Sequence, residues 1–374
     1  MEAGQSHDAN LVCKKGGRSN RRKMRNQITK CGCLLLALFF SMLSSGESAE
    51  LERKVLAFYY PWYRTKDFSG KWEHWNQEGS NPDRIDSQGR REITAAHYPE
   101  AGVYDSTDPG TIRRHLLESE RAGIDAWIVS WWGREYQLKP VPAILDTIAQ
   151  TGSPIKVALY YEMVPGCNGY SCKNLKPGKR IQGVLDDLEF INRNYAGHPA
   201  FLKVENRPVI FIYERAMLQA LGQWPEIIEQ AREKENWFFS GDSALTMTPY
   251  LVGKGFDQIH FYNPVMELNF FSARLLPDSG FVHFAHSEGK SVALTVIPGY
   301  DERRIPSRTL KIHADRGSGQ LYQTLWSKAI KAKPEWVLIT SFNEWHEGSE
   351  IEPSLEFKDS YLDLTGQFAR EIKH

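Results

Sequence analysis

The segment TSFNEWHEGSEIEP, residues 340–353, gathers four glutamates, an asparagine, a histidine and a tryptophan within fourteen positions. Glu344 and Glu347 stand three residues apart, just after the apolar run WVLI, which reads as a buried strand. Two carboxyl groups brought together at such a strand end suit hydrolysis of a glycosidic bond. One must remain protonated to donate to the leaving oxygen, and an apolar wall or a nearby negative charge raises its pKa to allow this. The other, ionised, offsets developing positive charge or activates a nucleophile. The same spacing also occurs in solvated loops, so the surroundings must decide.

Those surroundings come from an alternation of strand-like and helical segments. Strand-like runs fall at VLAFYY (55–60), IDAWIVSWW (124–132), IKVALYYE (155–162), PVIFIYE (208–214), WFFSGD (237–242), FDQIHFYN (256–263), SVALTVIPGYD (291–301) and WVLITSFNE (336–344). Between them lie segments of helical spacing: TIRRHLLESERAG with Asp108 and Thr111 as cap candidates, VPAILDTIAQTG, IQGVLDDLEFINRNYAG, PEIIEQAREK and QLYQTLWSKAIKAKP. A less regular stretch, FFSARLL with FVHFAHSEG, follows the sixth run, and DSYLDLTGQFAREIKH closes the chain. Continuous apolar runs suit parallel strands covered on both faces. Eight of them predict a (β/α)8 TIM barrel, an α/β fold in a single domain at 51–374. A doubly wound sheet is the alternative, but no GxGxxG follows the first strand.

In such barrels chemistry is built where the strands end. Those ends supply Tyr59, Tyr60 and Trp62; Trp131 and Trp132; Glu162; Glu214; Asp242; Tyr262 and Asn263; Tyr300 and Asp301, with Arg303 and Arg304; and Asn343, Glu344 and Glu347. The set is acids and aromatics, with no thiol, phosphate loop or HExxH pair, so neither a metal nor another cofactor is expected. Trp and Tyr offer sugars an apolar face and a polar tip. A Tyr or Trp at a strand end can equally be core, Glu162 a salt-bridge partner, and His74 or His97 purely structural.

Of 374 residues, 46 are Lys or Arg and 46 Asp or Glu, so the formal net charge is zero. Nucleic acid is not expected as a partner, since phosphate binding needs excess basic charge. Aromatic residues make up 12%, including 11 Trp and 16 Tyr, a number that either a large core or the binding of sugars accounts for. Residues 1–50 read as a basic leader, an apolar run CLLLALFFSML and a small-residue exit, the order of a secretory signal. Reading from Met24 gives a leader of more usual length. Export to a periplasmic or secreted location is expected, with a type II signal anchor in the Golgi lumen as the alternative. Of five cysteines, Cys13, Cys31 and Cys33 fall in the leader, and Cys167 and Cys172 in GCNGYSC are expected to bridge and hold a loop.

FYYPWY at the first strand, HWN at 74–76, HYPEAGVYDSTDP at 97–109, VSWWG at 129–133 and SFNEWHEGSEIEP together resemble glycoside hydrolase family 99, the endo-α-mannosidases and endo-α-1,2-mannanases. The resemblance spans about residues 55–365 and implies the same barrel. It implies retaining hydrolysis of internal α-1,2-mannosidic bonds in mannan or high-mannose glycans, through the substrate's 2-hydroxyl and a 1,2-anhydro sugar. Glu344 would then act as base toward that hydroxyl, and Glu347 as general acid and later base toward water. Tyr60, Glu162 and Tyr262 would hold the reacting sugar, with Asn343 preceding the base as in the family, and Trp62 and His74 are further substrate-binding candidates. Trp131 and Trp132 would line the next subsite on the non-reducing side, and Tyr300 with Arg303 or Arg304 would lie near the site. The short segment GREYQLK after Trp132 leaves glucose or mannose preference there unassigned. An oligosaccharide or polysaccharide is thus the expected partner, with no stable protein partner. Two other readings stand beside this one: another α-glycanase or surface-polysaccharide hydrolase on the same barrel, and a non-catalytic glycan-binding barrel, for which the acid pair would have no use.

Overall fold

A computed structural model describes residues 51–243, 247–270 and 276–374. The leader expected at 1–50, with its alternative as an anchor, lies outside the described residues, as does most of FFSARLL. Among the described residues no helix is long and apolar enough to cross a membrane.

Eight parallel strands form the barrel: β1 Lys54–Tyr59, β2 Ala126–Trp131, β3 Lys156–Tyr161, β4 Arg207–Ile212, β5 Phe238–Asp242, β6 Gln258–His260, β7 Ser291–Val296 and β8 Trp336–Ile339. Each pairs with its sequence neighbours, β1 pairs with β8 and β3 with β4, so the sheet closes on itself and leaves no edge among these strands. Helices follow as α1 Pro109–Arg121, α2 Pro140–Thr151, α3 Pro177–Ile191, α4 Trp224–Lys234, α5 Thr248–Gly253, α6 Ser279–Ser287, α7 Gln320–Ala332 and α8 Ser360–Lys373. The expected cap at Asp108 is made: its carboxylate accepts from the N–H groups of Gly110 and Thr111 at the start of α1. Helix α5 has no counterpart among the expected segments, because its six residues are too few to establish a helical period. The sixth strand is three residues rather than the eight expected, and the eighth stops at Ile339.

Side chains alternate between the two faces of each strand, and the alternation sorts the core in two. Val55, Ala57, Trp127, Val129, Trp131, Val157, Leu159 and Tyr161 face outward and pack with helix residues such as Ile112, Leu116 and Ile144. Leu56, Phe58, Tyr60, Ile128, Ala158, Tyr160, Phe211 and Leu338 fill the barrel interior. Trp62, Trp132, Glu162 and Tyr262, on the inward parity just beyond their strand ends, therefore arrive over the mouth of the barrel, whereas outward Trp127, Val129 and Trp131 are sealed beneath helices.

Candidate active site

The segment after β8 turns back on itself. The N–H of Ser341 donates to the carbonyl of Ser349 at 2.7 Å, and the N–H of Glu352 to that of Phe342 at 2.9 Å. The N–H of Glu344 donates to Ser341 Oγ at 2.7 Å. Asn343, wholly buried, holds the other side: its Oδ1 accepts from the N–H of Tyr60 at 2.8 Å and its Nδ2 donates to the Tyr60 carbonyl at 3.1 Å. The last strand is thereby clamped to the first. Trp345 points inward, its Nε1 donating to Tyr104 Oη at 3.2 Å and to Glu352 Oε2 at 3.1 Å. The indole between the two acids is thus an anchor, and it leaves Glu344 and Glu347 facing one cleft of about 760 Å³, within the usual range for ligand sites.

That cleft is also lined by Tyr60, Trp62, Trp132, Glu162, Tyr262 and Tyr300. The hydroxyls of Tyr60 and Tyr262 meet at 2.5 Å, and the rings of Tyr60 and Trp62 lie 4.5 Å apart. Glu162 accepts from Ser130 Oγ at 2.8 Å and pairs with Arg215 at 3.2 Å. Burial nonetheless pushes its carboxyl up to about 7, against the opposing pull of Arg215 and Ser130. Four expected residues are not on the cleft wall. Trp131 is fully buried and stacks on Tyr161 at 5.3 Å, because it shares strand parity with the outward Trp127 and Val129. His74 stacks behind Trp62 at 4.4 Å, with its Nε2 3.0 Å from the Tyr136 hydroxyl. Asn343 is spent on the Tyr60 backbone. Arg303 is exposed and folded onto Asp301 at 2.7 Å. Of the two further candidates, Arg304 donates to the Ala95 carbonyl and His97 bonds Glu350.

The cation that does reach the acids is Arg308, whose guanidinium lies 3.1 Å from Glu347 Oε1. It is carried by the loop between two short antiparallel segments, Tyr300–Asp301 and His313–Ala314, so its arrival depends on a ribbon that no local spacing announced. Asp242, seen as a strand end but given no role, ties three strands together. It accepts from Tyr160 Oη at 3.0 Å and from the N–H groups of Glu214 and Tyr262, each at 3.1 Å. Burial, then the Glu214 charge, pushes it up to about 7. Arg215 and Tyr213 also escaped notice. The Arg215 guanidinium lies 4.4 Å over the Trp132 ring, backing one face of that indole. Strand parity was the usable signal for Tyr213, which follows the inward Val209 and Phe211.

Glu344 is 3% exposed and accepts from the N–H of His346 at 3.1 Å. Burial, then the charge of Glu347, raises its pKa well above the ordinary 4.5. Burial also raises Glu347, but Arg308 pulls it back. With protein groups alone, the proton shared by the pair therefore favours Glu344. Two buried carboxyls of raised and unequal pKa, walled by aromatic rings, form the arrangement that acetal hydrolysis requires.

The chain matches the family model for glycosyl hydrolase family 99 over residues 50–367. It is 25% identical to the mouse glycoprotein endo-alpha-1,2-mannosidase, over 92% of this chain and 79% of that protein. It is 26% identical to the human glycoprotein endo-alpha-1,2-mannosidase-like protein, over 85% of this chain and 73% of that one. The crystal structure of the GH99 endo-alpha-mannosidase from Bacteroides thetaiotaomicron superposes with a TM-score of 0.72 at 26% identity, covering 86% of this chain and 98% of that one. The match runs across the whole barrel, and the chain belongs to glycosyl hydrolase family 99 and is a glycoside hydrolase.

Proposed function

We propose that the protein is an endo-acting α-mannosidase that cleaves internal α-1,2-mannosidic bonds of mannan or high-mannose glycans with retention of configuration. The observation that carries this is the meeting of Glu344 and Glu347 with Tyr60, Trp62, Trp132 and Tyr262 in one cleft. The activities for which the mouse and bacterial relatives are named support the choice of mannose.

In the proposed reaction Glu344, ionised, takes the proton from the 2-hydroxyl of the reacting mannose. The freed oxygen attacks C1, the glycosidic C–O bond breaks, and Glu347 donates its proton to the leaving oxygen, giving a 1,2-anhydro sugar. Glu347, now ionised, draws a proton from water, which attacks C1 while the 2-oxygen recovers its proton from Glu344. Two inversions give net retention. This sequence needs the pair's proton on Glu347, opposite to the preference set by protein groups alone. A sugar that displaces the half-exposed Arg308 from Glu347 and lays its 2-hydroxyl against Glu344 would reverse the order.

The Cys167–Cys172 bridge fits an oxidising compartment, in line with export. The test is product release from yeast-type mannan and from glucosylated high-mannose glycan, with the product anomer read by NMR. Cleavage of the first alone marks a mannanase, and of the second a processing-type enzyme. Inversion at the anomeric carbon would end the 2-hydroxyl mechanism, and no release from either would end the mannosidase reading.

A further inference from the structure

A second built feature opens on the same cleft. Cys167 and Cys172, each over nine-tenths buried, are bridged with their Cα atoms 4.7 Å apart. Between them Asn168 and Ser171 exchange backbone hydrogen bonds of 3.0 and 2.9 Å, making a miniature hairpin with Gly169 and Tyr170 at its tip. Gly169 has φ 51°, a conformation that costs glycine little. Gln219, fully buried, fastens the hairpin from below: its Oε1 accepts from the N–H of Val164 at 2.7 Å, and its Nε2 donates to the Gly169 carbonyl at 2.5 Å. Arg180 adds a bond to the Cys172 carbonyl at 2.9 Å.

All of this holds one side chain that gains little from it. Tyr170 is 60% exposed, yet it lines the cleft together with Trp132, Tyr213 and Arg215. A disulfide, a buried amide and an arginine fixing an open aromatic ring at the cleft's edge is the construction of a preorganised binding platform, because the ordering cost is met before the ligand arrives. The flat ring presents C–H-binding surface and the hydroxyl a hydrogen-bonding tip, the chemistry that recognises a pyranose.

We infer that Tyr170 forms an outer subsite that stacks on a further pyranose of a long glycan, on the Trp132 side of the acid pair. The subsite rests on the glycan-cleaving function proposed above. It makes the enzyme prefer long chains, and it makes that preference depend on the bridge.

The experiment measures kcat and KM for α-1,2-linked mannose oligosaccharides of increasing length with the wild type, Tyr170→Ala, Tyr170→Phe and the pair Cys167→Ser/Cys172→Ser. Tyr170→Ala is expected to raise KM about fivefold on chains long enough to reach the loop, as for loss of one aromatic contact, leaving kcat and the shortest cleaved substrate unchanged. Tyr170→Phe retains the wild-type KM. The cysteine pair raises KM on long chains too, and adding Tyr170→Ala to it changes little, since both act through one platform. An equal effect of Tyr170→Ala at every length, with active wild type, removes the subsite and leaves the function standing. A wild type that cleaves none of them removes the function and the subsite together.

Discussion

Glu344 and Glu352 sit eight residues apart on one returning segment, both almost wholly buried, and their environments push them in opposite directions. Glu352 accepts from Tyr104 Oη at 2.8 Å and Trp345 Nε1 at 3.1 Å, with His115 Nε2 at 2.9 Å and Arg114 at 3.3 Å. Burial alone would raise its pKa, but His115, Arg114 and Tyr104 together bring it below the ordinary value. Glu118 beside it is pushed up to about 8 by burial and by the Glu352 charge. Glu344 has backbone donors and a like-charged neighbour in Glu347, and its pKa rises well above 4.5. Burial is common to the two, and the supply of donors and cations separates them. A well-satisfied carboxylate stabilises the fold. An under-satisfied one beside a cleft is poised for chemistry and strains the fold that holds it.

The largest test removes the proton traffic of the poised pair. Glu347→Gln and Glu344→Gln are each expected to lower kcat by a factor of about a hundred or more, the usual worth of general acid–base help. Substrate binding should persist, as read by calorimetry with an α-1,2-linked mannose oligosaccharide. Wild-type-like turnover in either variant would remove that residue from the mechanism.

The next test asks about stability and expects opposite signs. Glu352→Gln keeps the shape but turns an amide N–H₂ toward donors and leaves Arg114 without its carboxylate. A loss of about 3 kcal/mol is expected, as for breaking a buried pair on one side. Glu344→Gln should instead stabilise by about 1 kcal/mol, the ordinary yield of relaxing a functional site. Urea denaturation of the three proteins at neutral pH checks both, and a shift of the same sign in the two variants would undo the comparison.

How much of this was readable beforehand follows from where each residue's partners lie. The eight strands were legible because parallel strands covered on both faces leave unbroken apolar runs, and each of β1 to β8 overlaps one of them. The acid pair was legible because it directly follows such a run. Counting in twos from Ile128, an inward residue, separates Trp132 from Trp131, which a motif that spans both does not. Arg308 was beyond reach, since only the folded ribbon at 300–314 carries it to Glu347. Glu352 looked like one more loop acid because its partners, Tyr104, Arg114 and His115, come from well over two hundred residues upstream.

The same two carboxylates also predict a pH dependence. Glu352 has its folded pKa lowered, so its contribution is complete above the unfolded value of 4.5 and fades as pH falls through the lowered folded value. Glu344 has its folded pKa raised, so its contribution is complete below 4.5 and declines as pH rises toward the raised value. Glu162 and Asp242, both pushed to about 7 mainly by burial, act in the same direction as Glu344. Wild-type stability should therefore peak in mildly acidic solution and fall on either side. Glu352→Gln should flatten the acid limb, and Glu344→Gln the limb toward neutrality. Urea midpoints at pH 3, 5 and 7 suffice, and unchanged limbs in both variants would contradict the assignment.

The smallest effect concerns the cation that keeps the pair unequal. Arg308 is half-exposed and lies 3.1 Å from Glu347, so solvent weakens its pull without abolishing it. Arg308→Ala should let the Glu347 pKa rise, because the opposing pull of a partly screened cation is removed. With Glu347 as general acid, the alkaline limb of kcat/KM then moves up with it. With Glu344 as the acid, the acidic limb moves instead, because the ionised partner has become easier to protonate. The profile of this one variant thus reports which carboxyl of the pair donates, and a kcat/KM profile that does not move would show that Arg308 does not set the Glu347 pKa in the free enzyme.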